Sequence, residues 1–321
     1  MIIFDRESHS GFPIFFVMEK FEINILGCGS ALPTMRHLPS AQVVNFRDKL
    51  FMVDCGEGTQ LQLRRMRLKF SRLGHLFLSH MHGDHCFGLP GLLSTLGLLG
   101  RTGEFVIHAH PDAEKVFRPM LDYFCKDLPF EVRFDSIDPL QKALIYEDKS
   151  LEIYSLPLKH RVATCGFLFK EKPKERHLRS DMISFWKIPI KALQSIKEGA
   201  DWVTPDGDIV PNAALTKPAE AARSYAYCSD TAYYEKLIPH IEGVDLLYHE
   251  ATFAEDAAPR AKETFHSTAR QAATIAQKAG VRQLMIGHYS ARYEDDSVLL
   301  KEAKEIFPTT ILAKEGLKYA L

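Results

Sequence analysis

The sequence predicts an α/β fold, in which short apolar strands alternate with helices along the chain. Residues 21–26 alternate apolar and polar side chains as a half-buried strand does, and further short apolar runs bounded by turn residues recur. Longer apolar segments, such as 89–99, have the length of helices. Of the 321 residues, 46% are hydrophobic and 25% are charged, so the chain has ample material for a core.

The first half of the chain begins with strands. The strand over 21–26 leads into a glycine-containing turn, and residues 43–46 and 50–53 form a hairpin around a polar turn. A basic helix over 60–69, a buried strand over 76–78, a buried helix over 89–99 and a strand over 105–109 follow.

The second half alternates in the same way. Short apolar runs predict strands at 151–156, 165–169, 225–228, 245–249 and 284–287. Helices are predicted at 267–279, where Ser267 or Thr268 suits the N-cap, and at 297–306.

The composition changes at residues 170–200. This segment carries eight Lys and Arg against four Asp and Glu, a net +4 in a chain of net charge −1. Such a charge run is most often a solvated face, but here it also predicts an insertion that leaves the main body. Because the whole chain is nearly neutral, any affinity for nucleic acid must come from a local patch of this kind.

Several bulk features limit the class of protein. No run approaches the roughly 18 apolar residues of a membrane span, so no membrane partner is expected. The six cysteines form no Cys-x-x-Cys pair and are expected to be reduced thiols. Residues 1–17 lack the basic start of a signal peptide. We expect them to be a loosely ordered extension or a start-site artefact, with one domain over 18–321.

The most informative segment is Ser79-His80-Met81-His82-Gly83-Asp84-His85. Three imidazoles and a carboxylate within six positions cannot all face one side of a helix or strand, so they converge only in a loop. Imidazole and carboxylate are suitable ligands for zinc. The apolar run at 76–78 places this loop at the carboxyl end of a strand, where open α/β sheets have their sites.

Three later residues occupy the same position relative to a strand. His160, Asp230 and His288 each follow an apolar run. A lone histidine there would ordinarily be a solvated or locally hydrogen-bonded side chain. Three such positions, in a chain that already has the cluster, favour a site for two metal ions.

The pattern His80-x-His82-x-Asp84-His85 resembles the motif of the metallo-β-lactamase superfamily. Within that superfamily, the segment around it, up to Leu93, is similar to the ribonuclease Z family of tRNA 3′-processing endonucleases. The resemblance extends over nearly the whole chain. It implies a four-layer αββα sandwich and a zinc-dependent endoribonuclease that removes the 3′ trailer from precursor tRNA and leaves a 3′-hydroxyl on the tRNA.

The resemblance also implies two zinc ions per subunit and a set of ligands. Asp84 would in addition accept the proton of the attacking water. Asp54, at the end of the strand over 50–53, would orient a ligand histidine, although a turn aspartate before Gly56 is the ordinary alternative. The implied ligands are His80, His82 and His160 for one ion, Asp84, His85 and His288 for the other, and Asp230 bridging both.

The segment His249-Glu250-Ala251-Thr252 matches a motif of the ribonuclease Z family. The match implies that His249 is the general acid that protonates the leaving 3′-oxygen, whereas alone it would be read as a locally hydrogen-bonded histidine. Arg292 resembles a phosphate-binding arginine of the family and is equally well read as a surface residue.

The segment 33–38 departs from the family pattern Pro-x-Lys-x-Arg-Asn, because Met35, His37 and Leu38 replace the Lys, Arg and Asn. Arg36 is left as the candidate for a phosphate contact there. The basic insertion lies where the family has a tRNA-gripping arm, but without its Gly-Pro element. The resemblance further implies a cytoplasmic homodimer, in which the arm of one subunit grips the tRNA bound to the other.

Other classes of function stay open. A zinc phosphodiesterase of the same fold that acts on small esters is one, against which the motif at 249–252 and the basic insertion argue. A non-catalytic RNA-processing subunit is another, but such proteins lose ligands and all seven positions are filled here. A di-iron redox protein is a weaker alternative, because it would have a carboxylate in place of an imidazole and position 82 is histidine.

Overall fold

The computed structural model describes residues 20–321, so the extension predicted over 1–17 lies outside the described residues. Within this range, two sheets of seven strands face each other. The first sheet contains β1 (Phe21–Gly27), β2 (Ala41–Phe46), β3 (Lys49–Val53), β4 (Leu73–Phe77), β5 (Glu104–Ala109), β6 (Glu131–Ser136) and β18 (Lys318–Ala320). The second contains β7 (Leu144–Glu147), β8 (Leu151–Pro157), β9 (Cys165–Glu171), β14 (Ser224–Cys228), β15 (Leu246–Glu250), β16 (Gln283–Gly287) and β17 (Thr310–Leu312).

Helices cover the outer faces of both sheets, and the four layers are those of the expected αββα sandwich. The helices of the main body are α1 (Thr59–Arg65), α2 (Gly83–Cys86), α3 (Leu89–Leu98), α4 (Asp112–Phe124), α8 (Ala258–Thr264), α9 (Ala269–Ala279) and α10 (Ser297–Ile306). Single 3₁₀ turns lie at Phe70–Arg72, Glu235–His240 and Glu255–Ala257.

The core lies in two parts because each sheet is apolar on both faces. Between the sheets, the ring of Phe77 lies 5.6 Å from that of Phe167 and 6.0 Å from that of Phe169, measured between centroids. A separate apolar cluster lies between the first sheet and α1, α3 and α4. Full burial of each such side chain stabilises the fold by about 1.5–3 kcal/mol.

The parallel strands determine where polar side chains meet. In the first sheet β3, β4, β5 and β6 are parallel neighbours, and in the second β14, β15, β16 and β17 are parallel. The remaining pairs, which include the predicted hairpin β2–β3, are antiparallel. The carboxyl ends of the parallel strands open onto loops on one edge of the sandwich, as is usual for functional sites in α/β sheets.

Most predicted elements are present, and the differences have local causes. The helix predicted over 60–69 ends at Arg65, because Arg67 adopts a left-handed φ of 56° that no helix continues through. Helix α4 is not among the predicted elements; it contains Pro119 and leaves several large apolar side chains exposed. The capping box of α9 is formed by Thr268 and Gln271, which decides between the two expected N-caps.

The insertion between β9 and β14 is longer than the sequence predicts. It contains β10 (His177–Leu178), α5 (Ser180–Phe185), α6 (Ile190–Lys197), β11 (Trp202–Val203), β12 (Ile209–Val210), α7 (Asn212–Leu215) and β13 (Thr216–Lys217). Because β10 pairs with β13, residues 201–223 are the returning half of the same unit, and an end near residue 200 is wrong. Its own apolar cluster includes Ile188, Ile196, Val210 and Leu215.

We call residues 172–223 the arm. Its net charge is also lower than the +4 of residues 170–200. It carries nine Lys and Arg against seven Asp and Glu, a net +2. At its base, the buried Glu171 accepts hydrogen bonds from the guanidinium of Arg223, at 3.0 Å from Nε. Between residues 20 and 321, no helix is both long and apolar enough to cross a bilayer.

Candidate metal centre

One group of four side chains converges where β4, β8 and β14 end. His80 and His82 follow β4, His160 follows β8 and Asp230 follows β14. Nδ1 of His82 lies 2.9 Å from Nε2 of His80 and 3.4 Å from Nε2 of His160. Oδ2 of Asp230 lies 3.6 Å from both of those Nε2 atoms. Four potential ligand atoms therefore lie around one small volume.

A second group lies on the other side of Asp230. Asp84 and His85 lie on α2, and His288 follows β16. Nε2 of His85 lies 3.4 Å from Oδ2 of Asp84 and 3.2 Å from Oδ1 of Asp230. Nε2 of His288 lies 3.6 Å from the same oxygen of Asp84 and 3.0 Å from Oδ1 of Asp230. Asp230 thus gives one carboxylate oxygen to each group.

These distances fit zinc. Ligands at 2.0–2.2 Å from a tetrahedral ion are separated from one another by about 3.3 Å, which is the spacing seen in both groups. In addition, Oδ2 of Asp84, Nε2 of His85 and Nε2 of His288 are buried without a hydrogen-bond partner among residues 20–321. Leaving such atoms unpaired costs about 1–3 kcal/mol each, and a cation between them would satisfy all three.

Hydrogen bonds fix the orientation of four of the five imidazoles. Nδ1 of His85 donates to Oδ2 of Asp54 at 2.7 Å, and Nδ1 of His80 donates to the hydroxyl of Ser79 at 3.0 Å. Nδ1 of His160 donates to the carbonyl of Phe265 at 3.0 Å. Nδ1 of His288 donates to the hydroxyl of Thr252 at 2.9 Å. In each case the free Nε2 points into the ligand group, which is the usual arrangement around zinc.

The backbone is strained where it presents these side chains. Asp54, Asp230 and His288 have left-handed φ values of 57°, 61° and 61°. Residues other than glycine adopt this region at an energetic cost, and such residues cluster at functional sites. Asp54 and His288 are the first residues after their strands and Asp230 is the second, so in each case the turn directs the side chain toward the site.

The electrostatics of the two groups suit a cation. Burial lowers the pKa of His80, His82 and His160, which keeps these imidazoles neutral as ligation requires. Burial acts to raise the pKa of Asp230, but the neighbouring His288, His85 and His80 lower it well below its usual range. The carboxylate is therefore ionised even though it is 2% exposed.

Asp54 makes the contact that its expected role needs. Besides His85, it accepts hydrogen bonds from the backbone amide of Ser79 at 2.8 Å and from the hydroxyl of Tyr227 at 2.7 Å. The alternative of a simple turn aspartate would leave its side chain near its own backbone. Instead the carboxylate joins β3, the metal-binding loop and β14.

The structure does not bring His249 to the metal centre. Its ring donates from Nδ1 to the carbonyl of the next residue at 2.7 Å, and the residue is 1% exposed. Along β15 successive side chains point to opposite faces, and Tyr248 stacks on Tyr227 between the sheets at 5.0 Å. His249 therefore faces away from that side of the sheet. A general acid that contacts substrate is not compatible with this position.

His266, which is hydrogen-bonded to Glu250, lies beside the ligand groups, where His249 was expected. Oε1 of Glu250 accepts a hydrogen bond from Nδ1 of His266 at 2.8 Å, and Oε2 accepts one from Thr252 at 2.6 Å. A ring nitrogen of His266 lies within 4.8 Å of ligand atoms of Asp230 and His288, and its side chain is 16% exposed. Burial acts to lower the pKa of His266, but the charge and hydrogen bond of Glu250 raise it to about 9.

The two arginines differ in what they can offer a substrate. The guanidinium of Arg36 donates to the backbone carbonyls of Tyr293 and Glu294, so it holds two loops together, and its expected contact with phosphate stays a prediction. Arg292 is exposed, with its guanidinium 5.2 Å from the ring centroid of Phe253. Its charged end is accessible near the loop that carries His288.

Comparisons with known proteins decide the family. A family model described as a β-lactamase superfamily domain matches residues 214–289, and one described as anti-Pycsar protein Apyc1 matches residues 21–112. Over 304 residues, which are 95% of this chain and 100% of the relative, the chain is 64% identical to ribonuclease Z of Parabacteroides distasonis. The chain belongs to the ribonuclease Z family. It is 58% identical, with the same coverage, to ribonuclease Z of Bacteroides fragilis.

Membership of the ribonuclease Z family makes the chain an endoribonuclease and a hydrolase. Solved structures agree on the fold. The short form of human tRNase Z has a TM-score of 0.65 at 23% identity, covering 93% of this chain and 98% of the human one. The metallo-β-lactamase fold protein YhfI of Bacillus subtilis has a TM-score of 0.66 at 21% identity, covering 94% and 100%.

The residues that sequence reasoning missed carried a usable signal. Glu250 is the last residue of the apolar strand β15, so a search for polar residues at the ends of strands, which found Asp230 and His288, would also have selected it. His266 has no such signal, because it precedes a helix and its N-cap fully explains the local sequence.

His37, which departs from the family pattern, makes two ion pairs. Nε2 lies 2.8 Å from Oδ2 of Asp296, and Nδ1 lies 3.1 Å from Oε2 of Glu315. Hydrogen bonds to Asp296 and Glu315 raise the pKa of His37 from 6.5 to about 9. The protonated imidazole therefore ties the loop over 31–39 to the segments that carry these two carboxylates.

We expect His37→Gln to lower the free energy of unfolding at about pH 6 and to have little effect at about pH 10. The folded state has the higher pKa, so the stabilisation is complete below the unfolded value of 6.5 and is lost as the pH rises through about 9. Urea unfolding of both proteins across this range measures the difference. His240→Gln is the control, since burial lowers the pKa of His240. A difference that grows with pH would contradict the ion-pair account.

Proposed function

We propose that this chain is a zinc-dependent endoribonuclease that removes the 3′ trailer from precursor tRNA and leaves a 3′-hydroxyl on the tRNA. The observation that carries the proposal is the division of the Asp230 carboxylate between two ligand groups. The substrate class is supported by the relatives named ribonuclease Z and by the likeness to a human tRNase Z. The cytoplasmic location stays a prediction.

The first group would hold one zinc ion and the second group another, with Asp230 shared. When bound, two such ions supply an activated water and stabilise the negative charge that develops on a phosphodiester. The residues of the chain then have separate tasks. Asp54 holds His85 in the tautomer whose Nε2 is free, and Thr252 does the same for His288.

Asp84 is suited to accept the proton of the attacking water. Its Oδ2 lies in the second ligand group, which leaves Oδ1 for a hydrogen bond to a nucleophile beside the ions. Burial acts to raise the pKa of Asp84, but the neighbouring His85 and His288 lower it. An ionised carboxylate adjacent to the water is what a general base requires.

His266, rather than His249, is suited to protonate the leaving 3′-oxygen. Glu250 orients the ring of His266 through Nδ1, so Nε2 is the atom that can donate a proton toward the site. The ring of His266 lies 5.1 Å from that of His160 and 5.2 Å from that of His288. The histidine therefore lies beside both ligand groups, within reach of a phosphodiester held there.

The arm and the dimer complete the proposal. Lys and Arg of the arm would contact tRNA phosphates away from the cleavage site, and Arg292 would contact phosphate near it. We also propose a homodimer in which each arm serves the partner's site. Large apolar side chains exposed on or directly after α3 and α4 are consistent with a protein interface: Leu98, Leu99, Met120, Tyr123 and Phe124.

Asp230→Asn is expected to lower the zinc content well below two ions per chain and the rate of precursor-tRNA cleavage by at least about 100-fold. An amide has only one oxygen and no charge to share between two ions. Elemental analysis of the purified protein and mapping of the cleavage products measure the two effects. Asp127→Asn, an exposed control on the same chain, should change neither. Full zinc content and activity in Asp230→Asn would refute the two-ion site.

His266→Ala is expected to slow RNA cleavage by about 10²–10⁴-fold, but to slow hydrolysis of bis(4-nitrophenyl) phosphate much less. Nitrophenolate is a good leaving group and needs no proton. Glu250→Gln should give the same pattern in weaker form. Equal losses on both substrates, or this pattern in His249→Gln instead of His266→Ala, would count against the assignment.

Replacing the arm by a tight turn should raise KM for precursor tRNA by about 10-fold or more and reduce the salt dependence of binding. Since Lys170 pairs with Ser224, a short Asn-Gly turn in place of 172–222 would join β9 to β14 as a hairpin. Hydrolysis of the nitrophenyl ester should not change, because no ligand lies in the arm. An unchanged salt dependence would make the arm a solvated appendage. A monomeric mass in solution would refute the dimer alone.

A further inference from the structure

A cavity of about 410 Å³ adjoins the metal centre on the side of His82. Its walls come from three parts of the chain, namely the loop after β4, the start of α4 and the loop between β8 and β9. The volume lies in the range of small-molecule sites and is large enough for one nucleoside. Its lining includes Met81, His82, His110, Asp112, Val116 and Val162.

His82 differs from the other imidazoles of the metal centre. It is the only one of the five that turns Nδ1 toward the ligand group. The others all donate their second ring nitrogen to the protein, but within residues 20–321 Nε2 of His82 has no hydrogen-bond partner. Metal-binding histidines nearly always donate this hydrogen. Because His82 also lines the cavity, a ligand there is placed to accept it.

The remaining walls are chemically mixed. Met81, Val116 and Val162 supply apolar surface, and Val116 and Val162 are 51% and 38% exposed. Nδ1 of His110 accepts a hydrogen bond from the amide of Asp112 at 3.2 Å, which puts the ring hydrogen on Nε2. The cavity thus offers apolar contacts together with a donor from His110 and an acceptor from Asp112.

We propose that this cavity binds the base of a nucleotide that flanks the scissile phosphate. A nucleobase has apolar faces and an edge of hydrogen-bond donors and acceptors, which matches these walls. His82 belongs to both the ligand group and the cavity, so the occupant lies within one nucleotide of the phosphate at the ions. Proteins that read single-stranded RNA commonly extrude bases into such pockets. This inference rests on the proposed RNA substrate.

The test combines a filled cavity with a missing base. Val116→Trp places an indole in the cavity from an exposed helix position. Val298→Trp makes the same change on α10 at similar exposure, 48%, away from the cavity. Each protein is given three precursor tRNAs. One is intact, one has an abasic nucleotide on the 5′ side of the cleaved bond, and one has an abasic nucleotide on the 3′ side. The measured quantity is kcat/KM.

In the wild-type protein, removal of the base at one of the two positions should lower kcat/KM by about 10-fold or more, as loss of a base contact does. For Val116→Trp, kcat/KM on the intact RNA should be as low as that of the wild-type protein on the sensitive abasic RNA. Removing the base should then lower kcat/KM of Val116→Trp no further. Val298→Trp should behave like the wild type.

Two results would overturn the inference. In one, removing the base at either position leaves kcat/KM of the wild-type protein unchanged. In the other, Val116→Trp keeps the wild-type ratio of kcat/KM between intact and abasic RNA, whether or not it slows both. Failure of the proposed function looks different, because the wild-type protein would then cleave no RNA at all.

Discussion

The architecture of the site depends on one buried carboxylate. Asp230 lies between the two ligand groups, 2% exposed, and contributes one oxygen to each. A charge in that position is unfavourable unless it is paired, and the surrounding imidazoles and the ions they would hold provide the pairing. The left-handed turn at Asp230 and the close packing of the two sheets are both needed to place the carboxylate there.

A second layer of hydrogen bonds makes this arrangement rigid. Asp54 from the first sheet accepts from Tyr227 of the second, and the same carboxylate orients His85. The carboxylate of Glu250 has a similar role near His288. It accepts hydrogen bonds from Thr252, from His266 and from the backbone amide of Thr231. His85 and His288 are thus held by Asp54 and by Thr252, which are themselves fixed by further hydrogen bonds, and in this way a metal site keeps its geometry without relying on the metal.

Local rules predicted an α/β fold, and the resemblance to the metallo-β-lactamase superfamily implied the αββα sandwich that the structure has. The set of seven ligands also came from that resemblance, and it stays a prediction. A polar residue directly after an apolar strand is visible in one dimension, and His160, Asp230 and His288 were found in this way. The proposed general acid His266 was not, since it depends on which faces of β15 His249 and Glu250 occupy and on the contact between Glu250 and His266, 16 residues apart. The end of the arm was missed because β10 and β13 have two residues each and show no periodicity.

The spread of the ligands along the chain has a consequence for synthesis. They begin at His80, after β4 of the first sheet, and finish at His288, after β16, the second-last strand of the second sheet. Parallel strands far apart in sequence must first be brought together, which is slow compared with local folding. A nascent chain that has not yet emerged beyond residue 288 therefore carries no complete hydrolytic centre. Nuclease activity can appear only on a molecule in which both sheets have already formed, so an RNA-cleaving protein made beside abundant RNA is harmless until it has folded.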